Sequence, residues 1–372
     1  MEFNYTEENQ ALKEKAKKFA KDVIAPEALE YDRRGVFPHE TIRKMGKEGF
    51  FGPIVPKEYG GLGLSTLEYC LILQEIASAG PAYTHNGIYQ AQKALILFGT
   101  KEQKEKYLSK LAMAEYIGAI AISERNVGSS FKKMETTAVK KDDRYIINGH
   151  KTHINDAAEA DVMPLLAQTE NGLTMFIIEK GQPGIVFSEK LDPIGYRASP
   201  IYEFGLENAE VKESQRLGEE GKGIKIFFEI FNFSRIGNAS VFIGMANGAL
   251  EEAVRYARER EVGTSKVIDF QGIRWLIAEL CTRIEAATLL RDKAAVLESS
   301  GSPCARETCM AKFYAGEVAR DVTNKAIEIC GSYGCYRERP FEMLYRDAKA
   351  LLAAGGSSEV MKNVIADLVI GK

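Results

Sequence analysis

The sequence is poor in the features that several function classes require. It has one tryptophan and four histidines, and every histidine lies at or before position 153. The six cysteines (Cys70, Cys281, Cys304, Cys309, Cys330 and Cys335) form two C-x4-C pairs but no C-x2-C knuckle. Zinc sites built from chain-local ligands use tighter spacings or nearby histidines, so no metal is expected, and the thiols read as reduced side chains packed in helices. Neither sign of charge dominates: 49 Lys+Arg stand against 52 Asp+Glu, a net charge of −3. Without a basic field, nucleic acid is not an expected partner. No apolar run approaches the ~18 residues that cross a bilayer. The N-terminal MEFNYTEENQ is acidic and polar, where a secretory leader is basic and then apolar. The expectation is a cytoplasmic protein with no membrane contact.

What is present is an ordinary globular composition, 45% hydrophobic and 27% charged over 372 residues, enough for two or three structural units without disulfides or metals. Residues 1–118 read as successive helices. Thr6 caps an amphipathic stretch that runs through Ile24 and is ended by Pro26. Ser65–Glu68 and Thr100–Gln103 are capping boxes. The glycine-rich run from Pro56 to Ser65 lacks a following GK[ST] and a preceding strand, which excludes a phosphate loop. Residues 119–222 carry short β-rich runs: TTAV, YIINGHKTHI, TMFIIEK and GIVFSEKL. Turn signals at Asp142-Asp143, Asn148-Gly149 and Gly181–Gly184 separate them, predicting an antiparallel, β-barrel-like domain. Residues 223–372 return to long helices, expected over 223–260, 267–298 and 303–330, with Pro303 at the first position of the last. The fold class is α+β: a helical N-terminal domain, a central β domain and a C-terminal four-helix-type bundle.

Several motifs, in this order, resemble the acyl-CoA dehydrogenase superfamily over essentially the whole chain. Ala121-Ile-Ser-Glu-Arg-Asn-Val-Gly-Ser-Ser130 is similar to A-x-T-E-P-x-A-G-S-D, and Tyr145-Ile-Ile-Asn-Gly-His-Lys151 to Y-x-L-N-G-x-K. Gly195-Tyr-Arg-Ala-Ser199 resembles G-x-R-x-S, and Phe270-Gln271 the family's F-Q. Gly331-Ser-Tyr-Gly334 with Leu344-Tyr-Arg-Asp-Ala348 resembles GGYG…LYRDA.

The resemblance implies an FAD enzyme, a homotetramer or dimer, in which a carboxylate removes the α-proton of an acyl-CoA while the β-hydride passes to the flavin. Electrons then leave through an electron-transferring flavoprotein. It places Ser123, Ser129, His153, Asn155, Arg260, Gln271, Glu328, Gly331, Ser332, Ser357 and Glu359 at the cofactor. It places Phe231, Asn232, Ser234 and Arg235 at the substrate, together with Tyr83, Asn86, Tyr89 and Gln90 facing the acyl pocket. A pocket lined by these last four is polar, which suits a short or functionalised acyl group, because an unpaired buried polar group costs about 1–3 kcal/mol.

The sequence departs from the pattern where the chemistry occurs. The family's C-terminal Y-E-G-T-x-E reads Ala354-Gly355-Gly356-Ser357-Ser358-Glu359, so the glutamate position is Gly355. The other position at which relatives carry the base is Ser234, and a serine does not remove an α-proton without an activating partner. Gly355 keeps the backbone N–H that would bind the thioester carbonyl; equally, it suits a helix-end loop needing φ > 0. Glu229, Asp321 and Glu124 are distant base candidates with structural roles as the default. His153, Asn155 and Gly263 replace the family's residues around the flavin, and Glu328 brings negative charge toward a diphosphate unless Arg260 or a lysine screens it. Three functions stay open: α,β-dehydrogenation with an unusual base, a non-oxidative desulfinase-like reaction on the same scaffold, and a non-catalytic subunit of a heteromeric dehydrogenase. For the second, the pocket segment offers only Lys93 as a cation.

Overall fold

The protein is described from a computed structural model covering residues 5–371 except positions 129 and 132. Helix α1 (Glu7–Phe19) starts at Thr6, whose hydroxyl accepts from the Asn9 N–H. Pro26 does not end this segment. A π-helical turn over Ala20–Ile24 carries the chain into α2 (Ala25–Arg34), with Pro26 in its first turn. Then follow α3 (His39–Lys47), α4 (Thr66–Ala79), α5 (Asn86–Phe98) and α6 (Lys101–Ala112), with both expected capping boxes formed at α4 and α6.

The middle of the chain forms β1 (Thr137–Lys141), β2 (Arg144–Asn155), β3 (Val162–Thr169), β4 (Gly172–Glu179), β5 (Ile185–Phe187), β6 (Ile201–Lys212) and β7 (Arg216–Leu217), in the order β5-β6-β2-β1-β3-β4-β7. Pairing is antiparallel except where β1 lies parallel to β3. Asp142-Asp143 makes the β1–β2 hairpin, with Asp142 at φ 55°. Asn148-Gly149 makes no turn; it forms a bulge inside β2, where a Cβ on Gly149 would lie 2.5 Å from Thr136 Cα. Strand β3 escapes the alternation rule because it is buried on both faces, and β6 because polar residues interrupt its pattern.

The C-terminal part contains α7 (Gly223–Glu259), a small hairpin of β8 (Glu261–Val262) and β9 (Ser265–Lys266), α8 (Gln271–Ser299), α9 (Ala305–Cys330), α10 (Pro340–Leu351) and α11 (Ser358–Ile370). Pro303 lies two residues ahead of α9, and Cys304 takes the cap position. The long helix α7 is the axis of the molecule and is buried all round from Phe233 to Ala246. It touches α4 closely because Gly244 and Gly248 have no side chain; a Cβ at either would lie 2.2 or 2.1 Å from the carbonyl oxygens of Gln74 and Ser78. One hydrophobic core runs through the helices of both ends, and a second fills the β domain. Among the described residues no helix is long and apolar enough to cross a membrane.

Candidate functional site

Ser234 and Asn238 are four residues apart on α7, and Asn86 and Gln90 are four apart on α5, so each pair shares a helix face. The two faces meet. Asn86 Nδ2 donates to Asn238 Oδ1 at 2.7 Å, and Gln90 Nε2 donates to Ser234 Oγ at 2.7 Å. Buried polar groups are normally paired in this way, although Asn86 Oδ1 is buried here with no hydrogen-bond partner among the described residues. The loop after α10 lies against this patch. At Gly355 (φ 69°) an added Cβ would sit 2.8 Å from Asn238 Nδ2 and 3.7 Å from Arg235 Cγ.

Two cations hold the loop. Arg235 Nε donates to the Gly355 carbonyl at 3.0 Å, and its Nη1 approaches Asn232 Oδ1 at 3.4 Å. Lys312, on α9, donates to the carbonyls of Leu352 and Gly356 at 2.8 and 2.6 Å. Burial lowers the pKa of Arg235, and burial together with the Arg235 charge pushes Lys312 down to about 8. Among the described residues neither cation has a carboxylate within ion-pair reach.

The other residues expected at the substrate lie apart from this cluster. The Tyr83 hydroxyl is 3.0 Å from Glu27 Oε1 and the Tyr89 hydroxyl donates to the Phe50 carbonyl at 2.7 Å, so both rings belong to the N-terminal core. Phe231 packs on Phe227 with ring centroids 4.0 Å apart. Lys93 is committed to Glu298 at 2.7 Å and lies over the Phe233 ring.

The residues expected at a cofactor fall into two groups. On the β side, the Ser123 carbonyl accepts from the Thr152 N–H at 3.0 Å, His153 is exposed at φ 56°, and Asn155 donates to the Ser199 carbonyl and hydroxyl. Ser129 lies outside the described residues. On the helical side, Arg260 and Gln271 are exposed at the facing ends of α7 and α8. Glu328 accepts from Lys325 and Asn324, and the Lys325 hydrogen bond holds its carboxyl below the usual range. Gly331 closes α9 at φ 58° with open space where a Cβ would be, and Ser332 beside it is exposed. Ser357 caps α11, accepting from the Val360 N–H at 3.4 Å, and Glu359 is exposed in that first turn.

None of the three distant carboxylates reaches the cluster. Glu124 is buried against Lys151 at 2.8 Å and accepts the N–H groups of Glu135 and Thr136. Asp321 pairs with Arg283 at 2.8 Å, and Glu229 is exposed on α7. His85 Nδ1 contacts Asp156 Oδ2 at 2.9 Å, and its Nε2 is sealed from solvent without a partner; a base opening on a ligand space would show that atom. Sequence reasoning missed Asn238 and Lys312. The first was visible as the position one turn beyond Ser234; for the second the sequence carries no signal.

Three family models cover the chain: the acyl-CoA dehydrogenase N-terminal domain over residues 6–115, the middle domain over 119–209 and the C-terminal domain over 221–370. The NADH-dependent acryloyl-CoA reductase of Anaerotignum propionicum is 39% identical across 98% of this chain and 95% of its own length. A subunit of the caffeyl-CoA reductase–Etf complex of Acetobacterium woodii is 34% identical across 99% and 100%. Among solved structures, the butyryl-CoA dehydrogenase of Megasphaera elsdenii superposes with a TM-score of 0.96 at 32% identity, covering all of both chains.

Proposed function

Because the chain belongs to the acyl-CoA dehydrogenase family, we propose that it is an FAD-dependent enzyme exchanging hydride at the Cα–Cβ bond of a short or functionalised acyl-CoA. The observation that carries this reading is the pair of buried contacts Asn86–Asn238 and Gln90–Ser234 beside Gly355, the position matching the family's glutamate. An acyl group bound beside Gly355 would meet these amide and hydroxyl groups, where a long saturated chain would need apolar neighbours. Such a lining favours an acyl group that is short or carries polar atoms.

The residues present fit FAD. The Arg260 guanidinium is exposed, the Gly331 backbone is open to close approach, and Lys325 already offsets the Glu328 charge. Ser123, His153 and Asn155 would meet the ring system. Ser129, by its motif, would stand on the cofactor side where the substrate's pantetheine passes. Arg260, Gln271, Glu328, Gly331, Ser332, Ser357 and Glu359 would meet the diphosphate and adenosine. Two-electron hydride acceptance is the chemistry that FAD supplies when bound. For its part the chain offers the Gly355 N–H as a donor to the thioester carbonyl, which acidifies the α C–H. Arg235 anchors the following peptide of the loop by holding the Gly355 carbonyl.

An electron-transferring flavoprotein as partner is supported by the caffeyl-CoA relative, named as part of such a complex. A homotetramer is supported by exposed apolar residues on and next to α8, including Phe270 and the 65% exposed Trp275. The test is a visible absorption spectrum of the purified protein, followed by anaerobic titration with propionyl- and butyryl-CoA. Flavin bands that bleach or shift are expected. Protein that FAD cannot colour, or flavin indifferent to every short acyl-CoA, overturns the reading.

A further inference from the structure

Among the described residues, the glycine loop is held by two buried cations with no carboxylate in ion-pair reach. Arg235 is 6% exposed and Lys312 is 1% exposed. Their hydrogen bonds go to the carbonyls of Gly355, Leu352 and Gly356, the Asn232 amide oxygen and, at 4.0 Å, the Cys309 sulfur, a thiol whose pKa burial raises. Carbonyl dipoles solvate a cation, but they do not cancel two positive charges in a desolvated site. Lys312 also feels Glu359, but that carboxylate is exposed and already bound by the Ser357 hydroxyl and its own backbone.

Position 355 is where a counter-charge would enter. A side chain there would start 3.7 Å from the Arg235 stem at Cγ and 2.8 Å from Asn238 Nδ2, so the amide would shift to admit a carboxylate, which would then lie near the guanidinium that holds the Gly355 carbonyl. Asn238 already has its oxygen occupied by Asn86, and its Nδ2 turns toward the space over Gly355. The site therefore holds a guanidinium, an amide donor and an ammonium behind them, with the acid removed. That is a receptor for a carboxylate.

We propose that the substrate supplies this carboxylate: the ligand is a CoA thioester whose acyl group carries an acidic substituent on or next to its α-carbon, received by Arg235 and Asn238 with Lys312 behind. This inference rests on the acyl-CoA reading above. It fits the buried polar cluster of Asn86, Gln90, Ser234 and Asn238 beside Gly355, and the fact that neither Gly355 nor Ser234 is acidic. An additional protein carboxylate there would repel the substrate's own.

The test is calorimetric titration of the flavin-loaded protein with methylmalonyl-, succinyl- and glutaryl-CoA, against propionyl- and butyryl-CoA as neutral counterparts. Methylmalonyl- or succinyl-CoA is expected to bind at least about tenfold tighter than butyryl-CoA, with glutaryl-CoA weaker than the better of the two. Lys312→Met is expected to narrow the gap to about threefold, and Gly355→Glu to reverse it. If a variant fails to fold, the ranking on the unmodified protein decides alone. Butyryl-CoA binding as tightly as every acidic thioester overturns this proposal and leaves the acyl-CoA reading standing. If no thioester binds, the acyl-CoA reading falls as well.

Discussion

Asn86 donates to Asn238 across 2.7 Å, joining the first turn of α5 to the middle of α7 next to Gly355. The bond ties the N-terminal helices to the C-terminal bundle at the candidate site. Asn86→Leu leaves the buried Asn238 oxygen without its donor and is expected to cost about 1–3 kcal/mol. Asn86→Leu with Asn238→Leu is expected to cost less than the sum of the single changes, with a coupling above ~0.5 kcal/mol in denaturant unfolding. Additive losses would mean the pair does not interact.

Gly355→Glu tests whether a carboxylate at this position supplies a base. The residue would adopt φ 69°, and its Cβ would press on Asn238 Nδ2 at 2.8 Å. Left-handed backbone costs a side-chain-bearing residue about 1–2 kcal/mol, so a lower melting temperature is expected. Combined with Asn238→Ala to give room, it is expected to raise flavin bleaching by butyryl-CoA about 100-fold, as a placed general base does. Unchanged bleaching in both variants would show that some other element of the chemistry is absent.

Lys312 makes stability depend on pH in a defined window. Its folded pKa, pushed down to about 8 by burial and then by Arg235, lies below its unfolded value near 10.5. Below pH 8 both states are charged and the folded state carries the full desolvation penalty. Between pH 8 and 10.5 the unfolded chain binds more protons, so stability from this group rises with pH. Lys312→Met is expected to gain about 3 kcal/mol at pH 7, less the two lost carbonyl contacts, and the difference from the unmodified protein should shrink by pH 10.5. Thermal unfolding of the two proteins across pH 7–10.5 measures this. A difference that does not change with pH would refute it.

Glu124 is tied to Lys151, with side chains 3% and 0% exposed. Burial alone would raise its pKa, but the Lys151 charge and the hydrogen bonds from Lys151, Thr136 and Glu135 hold it below the usual range. Glu124→Gln strands a buried ammonium and is expected to cost about 3–5 kcal/mol in chemical unfolding. Loss of activity with unchanged stability would instead restore Glu124 as a base candidate.

Arg260→Ala is expected to weaken FAD retention while leaving the melting temperature of the flavin-free protein within about 0.5 kcal/mol of equivalent stability, since the side chain is exposed. Flavin content after gel filtration reads the first effect. Full retention would remove Arg260 from the cofactor site.

Caps, helix periods and ordered motifs were local properties, so they could be read from residues alone: Thr6, Ser65 and Thr100 start helices where side-chain oxygens meet nearby N–H groups, and α7 begins at the expected Gly223. The motif order was likewise enough to identify the family, and with it the expectation of FAD and acyl-CoA. Where a long-range partner decided the outcome, local rules gave the wrong answer. Asn148-Gly149 became a bulge because β6 pairs across it and Thr136 lies against the glycine. Pro26 was absorbed by a π turn, and β3 hid its period by being buried on both faces. Tyr83 and Tyr89 sit in the same segment as Asn86 and Gln90, but helix geometry turns the tyrosines into the core and the amides onto α7. The sequence by itself determined that glycine stands at 355 and serine at 234, because the identity of a residue is read directly from the chain. Only the tertiary structure brought Arg235 from α7 and Lys312 from α9 to one loop, because uncompensated charge is a property of what surrounds a group in space.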